Sequence, residues 1–332
     1  MTEAPELERV DSVAAVRAEW SALAAAAENP FQTPEWCEAW LEHIGRDVEL
    51  RLFAAPAGIV PLVLARGRYV RKARFLGFGP SNELGPIVPR SDRPLAATLL
   101  RGALAATRRE WDVFLGEYLP GRGWAQSVRG RVVATPGSPV VRGSWESWDA
   151  YLATRSSSFR QELRRKERRL AERGLAYRTV ADPAELDPAL DVLFELHRAR
   201  WGHQASRWFA GREAFQRAFS RTALQRGWLR LDLLELDGRS VAVYHGLRFG
   251  DTEWSYQFGR DPAEEGSVGL VIAAHAVRRA LGEGASEFRL GPGDQQYKRR
   301  FATDDPGLET IGRARTPQGW ASVLAARRRG GV

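Results

Sequence analysis

Thiols, lysine and long apolar runs are all scarce in this chain of 332 residues. Cys37 is the single cysteine, so no internal disulfide can form and a reducing cytoplasm is the expected setting. The acidic start from Met1 to Asp11 lacks the basic and apolar regions of a secretory leader, and none is expected. No apolar stretch approaches the ~20 residues that a membrane helix needs, since even Ile59 to Ala65 stops at Arg66. A membrane span is therefore not expected, and no metal site is either. Disorder is excluded by 44% hydrophobic and only 27% charged residues.

What the chain does have is arginine. The 49 basic residues exceed the acidic ones enough for a net charge of +8. Such a balance favours polyanions such as CoA, nucleotides, tRNA or acidic lipid. Only Lys72, Lys166 and Lys298 are lysines. An ammonium is a point charge suited to one developing oxyanion, whereas a guanidinium fork suits phosphates and carboxylates. A lysine in a chain that otherwise writes arginine is thus a candidate for chemistry.

Lys298 follows the most informative stretch. Phe288 and Leu290 alternate with Glu287 and Arg289 as in a half-buried strand, and Gly291-Pro292-Gly293-Asp294 then forces a turn that delivers Tyr297 and Lys298. Upstream, Leu229 to Leu236, Ser240 to Phe249 and Glu253 to Phe258 form an antiparallel meander joined first by Asp237-Gly238. Simple alternation puts His245 on one face with Val241, Val243, Leu247 and Phe249, either buried in the core or facing a pocket. An apolar helix follows Ser267. Gly266, Ser267, Gly269 and Leu270 offer small residues and free backbone N–H groups at its start, an arrangement that can hold a phosphate.

The remaining elements group around two halves. Thr33 can cap a helix that begins at Pro34 and carries Trp36, Trp40 and Ile44 on one face. A helix from Val10 to Ala27, strands at 49–53 and 59–64, a helix at 94–109 and extended segments at 111–118 and 131–141 complete a first α/β unit, residues 1–145. The second unit, residues 146–332, opens without a flexible linker. Its most charged segment is a helix from Ser156 to Arg173, with Ser158 as cap and Gln161 completing a capping box. Arg160, Arg164, Arg165 and Lys166 lie on that helix. The face is either a solvated surface or a platform for a polyanion. A strand at 175–180, a helix from Pro188 to Trp201 and another at 213–226 precede the meander.

Meander, helix with a phosphate-ready start, and a further strand resemble the GNAT acyltransferase fold. More specifically, the chain resembles the FemAB-like branch and its CelD-type (BioF-like) acetyltransferase relatives, in which two such units occur in tandem. The residues that carry the likeness are Pro30-Phe31-Gln32-Thr33-Pro34-Glu35-Trp36, the arginine-rich helix, Leu196-His197-Arg198-Ala199-Arg200-Trp201, Asp237 to Ala242, and Gly291 to Lys298. The resemblance implies an α/β fold of two units, each a mixed, mostly antiparallel sheet flanked by helices, with the first unit degenerate.

It also implies an N-acyltransferase that moves an acyl group from acetyl-CoA or another acyl-CoA to the amine of a small molecule or of an envelope or secondary-metabolite precursor. Aminoacyl-tRNA is the alternative donor, and a non-catalytic scaffold of the same fold is a third reading. Lys298 would then steady the oxyanion, with Tyr297, Asp294 and His245 as further catalytic candidates and Glu253 and Glu287 as other possible bases. Gly266, Ser267, Gly269 and Leu270 would hold the cofactor; Arg160, Arg164, Arg165, Lys166, Arg200 and Trp201 would bind substrate or polyanion. Two departures stand out. The glycines lack the Gln/Arg-x-x-Gly-x-Gly/Ala spacing of the family, and Arg289 replaces a frequent aspartate.

Overall fold

The structure, a computed structural model, describes residues 6–90, 92–202, 211–264 and 268–328. The chain forms two units, one from Met1–Ser138 with Pro306–Val332 and the other from Pro139–Asp305.

In the first unit, strands β1 (Glu8–Val10), β2 (Val48–Ala55), β3 (Gly58–Arg66) and β4 (Arg71–Phe75) pair antiparallel in sequence order. Helices α1 (Arg17–Ala27) and α2 (Pro34–His43) lie between β1 and β2 in the chain. Helix α3 (Arg93–Ala106) then leads to β5 (Val113–Pro120), which runs parallel to β4. A short helix α4 (Trp124–Ser127) and the edge strand β6 (Arg131–Ala134) follow. Strand β3 is apolar from Ile59 to Leu64, and Phe75, Leu100 and Phe114 pack in the same core.

The second unit repeats that order. Helices α5 (Trp148–Ala153) and α6 (Ser157–Ala171) precede β8 (Ala176–Thr179); the edge strand β7 (Val140–Arg142) comes earlier still. Helices α7 (Pro183–Trp201) and α8 (Glu213–Gln225) separate β8 from the meander β9 (Leu229–Leu236), β10 (Arg239–Phe249) and β11 (Thr252–Arg260). Helix α9 (Val268–Gly282) leads to β12 (Glu287–Arg289), parallel to β11, and α10 (Gln296–Phe301) closes the unit. Strand, two helices, three-strand meander, helix and parallel strand thus occur twice.

Several local expectations shift. The first helix does not start at Val10. Residues 8–10 are a strand, Ser12 Oγ accepts from the Ala15 amide at 3.3 Å, and the helix proper begins at Arg17. Thr33 does cap α2, accepting from the Trp36 amide at 3.2 Å, with Pro34 at the first helical position. On α6 the cap is Ser156 and not Ser158, because the Ser156 hydroxyl reaches the Phe159 amide at 3.3 Å. Helix α7 starts five residues before Pro188, at Pro183, where Asp182 accepts from the Ala184 amide.

The boundary between units also differs from a split at residue 145. The segment broken by Pro136-Gly137 sends β6 to the first sheet and β7 to the second. The expectation that 146–332 forms one unit fails for its last part. Strand Leu308–Ala314 inserts between β5 and β6 of the first sheet, and helix Pro317–Arg328 brings Val323 and Ala326 against Val113, Leu115 and Val133. Leu308 and Ile311 are apolar and buried at this position, so burial on the first unit decides where the segment goes.

Candidate active site

In the second unit a cavity of about 220 Å³ opens where β11 ends and α9 begins, bordered by Gly259, Gly269 and Leu270. Four cations face it: Lys166 from α6, Arg200 from α7, Arg260 from the end of β11 and Arg300 from α10. Among the described residues, Glu162 is the one carboxylate in the lining, one helical turn from Lys166. It accepts from Lys166 Nζ at 3.0 Å and from Arg300 Nη2 at 2.5 Å. Hydrogen bonds from Arg300 and Lys166 hold its carboxyl down to about 2, so it stays ionised. Four positive groups against this one negative group leave the described lining strongly cationic.

That excess is felt inside the cleft. Burial, and then the charge on Arg260, lower the proton affinity of Arg200. Like charges held together at a concave surface favour an anion between them. Gly269 contributes by what it lacks: a Cβ there would come within 3.2 Å of Arg260 Cδ, so the glycine lets this side chain lie across the first turn of α9. The positive end of the helix dipole adds to the same potential. Gly269 and Leu270 are therefore at the cleft, whereas Gly266 and Ser267 lie outside the described residues.

Tyr297 and Lys298 divide after the turn. Gly291 and Gly293 have φ of +79° and +108°, conformations that a side chain disfavours, and the chain reverses there. Tyr297 lines the cleft, and burial pushes its phenol up to about 12, so it remains a hydroxyl donor at any ordinary pH. Lys298 is buried. Its Nζ donates to the carbonyl oxygens of Gly291 at 3.1 Å and Pro292 at 2.7 Å, and burial brings its pKa down to about 8 against a small opposing effect of Asp294. The ammonium ties down the turn that presents Tyr297. Asp294 itself is exposed and pairs with Arg299 at 3.2 Å.

His245 is not at the cleft. Bulges on either side of Ala242 to His245 break the simple alternation of β10. Val241 joins Ala242 and Tyr244 in the core that includes α9, whereas His245 lies on the other face, with Nε2 3.4 Å from Ser220 Oγ of α8. Burial lowers its pKa to about 4, so the ring is neutral. The other carboxylate candidates are also committed. Glu287 accepts from Arg289 at 2.6 Å and from Arg142 at 2.9 Å. Glu253 is fully buried, where it accepts from Tyr244 at 2.9 Å and Arg279 at 2.8 Å. Arg279 also reaches Asp232, and this network fastens α9 to β9 and β11.

Of the expected polyanion-binding residues, Lys166 and Arg200 line the cleft. Arg160 turns back to the carbonyls of Leu152, Ala153 and Arg155 at the end of α5. Arg164 and Arg165 are exposed, the former 3.8 Å from Asp149. Trp201 ends α7, and its side chain is outside the described residues. Sequence reasoning passed over Glu162, Arg260 and Arg300. The first has a sequence signal, its i, i+4 spacing to Lys166; the other two become visible only once a strand end and a helix face are known to converge.

At the corresponding helix start of the first unit, α3 carries its own plug: Asp92 Oδ1 accepts from the Leu95 amide at 3.1 Å, and Pro94 in the first turn has no N–H. Among the described residues, every buried side-chain nitrogen or oxygen without a hydrogen bond belongs to the second unit. Among the described residues, no cluster of three or more His, Cys, Asp or Glu could hold a metal, and no helix is long and apolar enough to cross a membrane.

Comparison with known proteins places this geometry. Residues 157–299 match the family model described as an acetyltransferase (GNAT) domain. No curated protein matches the sequence at a significant level. Among solved structures, FemX superposes with a TM-score of 0.65 at 11% identity, covering 96% of this chain and 99% of that one. The C-terminal domain of a putative lysylphosphatidylglycerol synthetase from Agrobacterium fabrum gives 0.59 at 10% identity, with 95% of each chain covered. A tandem GNAT protein from the clavulanic acid biosynthesis pathway gives 0.51 at 13%, covering 94% and 99%.

Proposed function

We propose that this chain, whose residues 157–299 match an acetyltransferase (GNAT) domain and whose fold is that of FemX and of a tandem GNAT protein, moves an acyl group from acyl-CoA to an amine. The observation that carries this reading is the cleft at the start of α9, with Lys166, Arg200, Arg260 and Arg300 around it. Phosphates of CoA are the natural occupant of four cations beside a helix N-terminus. The acyl donor would be acetyl-CoA, with a small-molecule amine as acceptor.

In the reaction the amine nitrogen attacks the thioester carbonyl carbon. A C–N bond forms, the C–S bond breaks, the proton on nitrogen passes to water and the sulfur leaves as a thiolate that takes up a proton. Tyr297 is the donor placed for that last step, since its hydroxyl stays protonated and lines the cleft, and it then recovers a proton from the water that took the one on nitrogen. Lys298 acts through Tyr297, as a positioning residue that holds the Gly291-Pro292 turn. Acetyl-CoA and CoA should each raise the melting temperature, because a ligand that binds only the native state stabilises it. No shift with either would remove the acyl-CoA reading.

A second donor is favoured by one observation. Arg165, Arg168 and Arg169 are exposed on α6, the helix that also sends Lys166 into the cleft. An aminoacyl-tRNA could lay its backbone along such a stripe. Retention of tRNA that falls steeply as salt is added supports that donor.

A further inference from the structure

The two units provide an internal control for what a buried helix face looks like when it only packs. In the first unit, α2 presents Trp36, Cys37 and Trp40 to its surroundings. Both indole N–H groups are satisfied, Trp36 by Ser81 Oγ at 2.9 Å and Trp40 by the Phe78 carbonyl at 3.0 Å. In the second unit, α8 occupies the same place in the order of elements, but its buried face includes Gln216 and Ser220, one turn apart. Gln216 is 2% exposed, and neither its amide nitrogen nor its amide oxygen has a partner.

Across from this face, β10 and β11 continue the pattern. His245 and Gln257 are register partners on adjacent antiparallel strands, which puts both side chains on one face of the sheet. His245 Nε2 meets Ser220 Oγ, so this face is the one toward α8. His245 Nδ1 is left over, as are both amide atoms of Gln257, which is 7% exposed. Five orphaned atoms on three buried side chains thus converge under one helix: two on Gln216, one on His245, two on Gln257. Among the described residues of the first unit no buried side-chain atom is orphaned in this way, and β3 there is apolar through this stretch.

We propose that Gln216, Ser220, His245 and Gln257 form a second recess, rich in both donors and acceptors, which holds the acyl acceptor by a polar group. The occupant's chemistry follows from the lining. Two carboxamides, a hydroxyl and a neutral imidazole offer donors and acceptors side by side. The Tyr256 ring stands 5.3 Å from that of His245, and the Arg212 guanidinium, one turn before Gln216, acts on the Tyr256 phenol. That set matches a carboxamide or neighbouring sugar hydroxyls. Position fits as well. Gln257 is two residues before Gly259, which borders the cationic cleft, a separation of roughly 7 Å along a strand. Acceptor and donor would thus be held along one strand, the first by the amides and imidazole and the second by cations. Only the name "acceptor" rests on the acyl-transfer reading; the recess itself does not.

The test measures binding and not turnover, so that it separates from the fate of acyl transfer. Melting of the full chain is followed with saturating glycinamide, which carries a carboxamide, with saturating glucosamine, which carries hydroxyls, and with ethylamine, which carries neither. The expected result is stabilisation by glycinamide or glucosamine and none by ethylamine, the responding probe naming the acceptor class. In Gln216→Met and in Gln257→Met the affinity for that probe should fall about tenfold. Melting without ligand should stay at or above the wild-type value, since each change removes orphaned polar atoms, and the shift with CoA should persist. Two independent variants guard against one failing to fold. Absence of stabilisation by both polar probes, an equal effect of ethylamine, or retention of full affinity in both variants would overturn the proposal.

Discussion

Lys298 Nζ donates a 2.7 Å hydrogen bond to the carbonyl of Pro292, six residues before it, and so closes the turn that sets Tyr297 at the mouth of the cationic cleft. A buried ammonium whose donors go to backbone carbonyls is a structural clasp before it is anything else. Lys298→Met should keep the volume of the stem and leave both carbonyls without a donor, lowering stability by about 1–3 kcal/mol. The pH dependence gives a sharper check. Burial takes the lysine from its ordinary value to about 8. Between about 8 and that ordinary value the folded chain holds fewer protons at this site than the unfolded chain, so stability contributed here rises with pH across the window. Below about 8 both states are protonated and the burial penalty is fully present. Urea unfolding of wild type and variant near neutrality and again near pH 9.5, roughly one unit below the free lysine value, should show the gap widening. A gap that narrows would mean that the ammonium is not desolvated.

Arg260 and Glu162 should act in opposite directions on an anion in the cleft. Arg260→Ala removes a cation that lies across Gly269 and should weaken CoA binding by about tenfold or more, as loss of one charge-assisted hydrogen bond does. Glu162→Gln removes a negative group from the lining and its hold on Lys166 and Arg300, so CoA should bind several-fold more tightly. Isothermal titration at two salt concentrations decides. Equal effects of the two substitutions, in sign, would show that the phosphates bind elsewhere.

Much of this arrangement was legible in the residues, and the parts that were not have physical causes. The meander and its Asp237-Gly238 turn, Thr33 as a cap, and the turn that delivers Tyr297 all rest on local chemistry that a sequence displays directly. Gly269, Leu270, Lys166, Arg200 and Tyr297 were singled out and share one cleft. Lys298 was singled out for its scarcity, but composition cannot say where a side chain points, and two carbonyls claim it. His245 was placed by unbroken alternation, which the two bulges of β10 cancel. Arg260 and Arg300 were invisible because nothing local distinguishes them from the many arginines around them. What selects them is the meeting of a strand end with two helices.

Arg279 holds two buried carboxylates at once, donating to Glu253 at 2.8 Å and to Asp232, both of which are 0% exposed. Arg279→Leu would take the guanidinium from both carboxylates beneath α9, leaving Glu253 with the Tyr244 hydroxyl and Asp232 with that of Thr179. Breaking a buried ionic group in this way costs about 3–5 kcal/mol. Glu253 is already pushed upward by burial, which Arg279 opposes, so in the variant it should take up a proton at a higher pH than in the wild type. Equilibrium denaturation and the pH dependence of melting measure the two effects. Since α9 carries Gly269 and Leu270 to the cleft, CoA binding should weaken along with stability. A variant as stable as the wild type would show that the network is not what fastens the helix.

Removal of residues 306–332 should damage the first unit and spare the second, although the segment follows the second in the chain. Strand Leu308–Ala314 is an interior strand, bonded to β5 on one side through the Ile311–Gly116 register and to β6 on the other through Thr310–Ala134. Its Glu309 carboxylate accepts from the Trp124 amide, and the Thr310 hydroxyl from the Tyr118 amide at 3.3 Å. Deleting it splits a seven-stranded sheet and exposes both new edges. Core residues Val113 and Leu115 also lose the cover of Val323 and Ala326. Limited proteolysis of the truncated chain should therefore cut first within residues 6–138, while residues 139–305 survive as a protected fragment. Preferential cleavage in the second unit would contradict the assignment of this strand, and with it the division of the chain on which the whole description of the site depends.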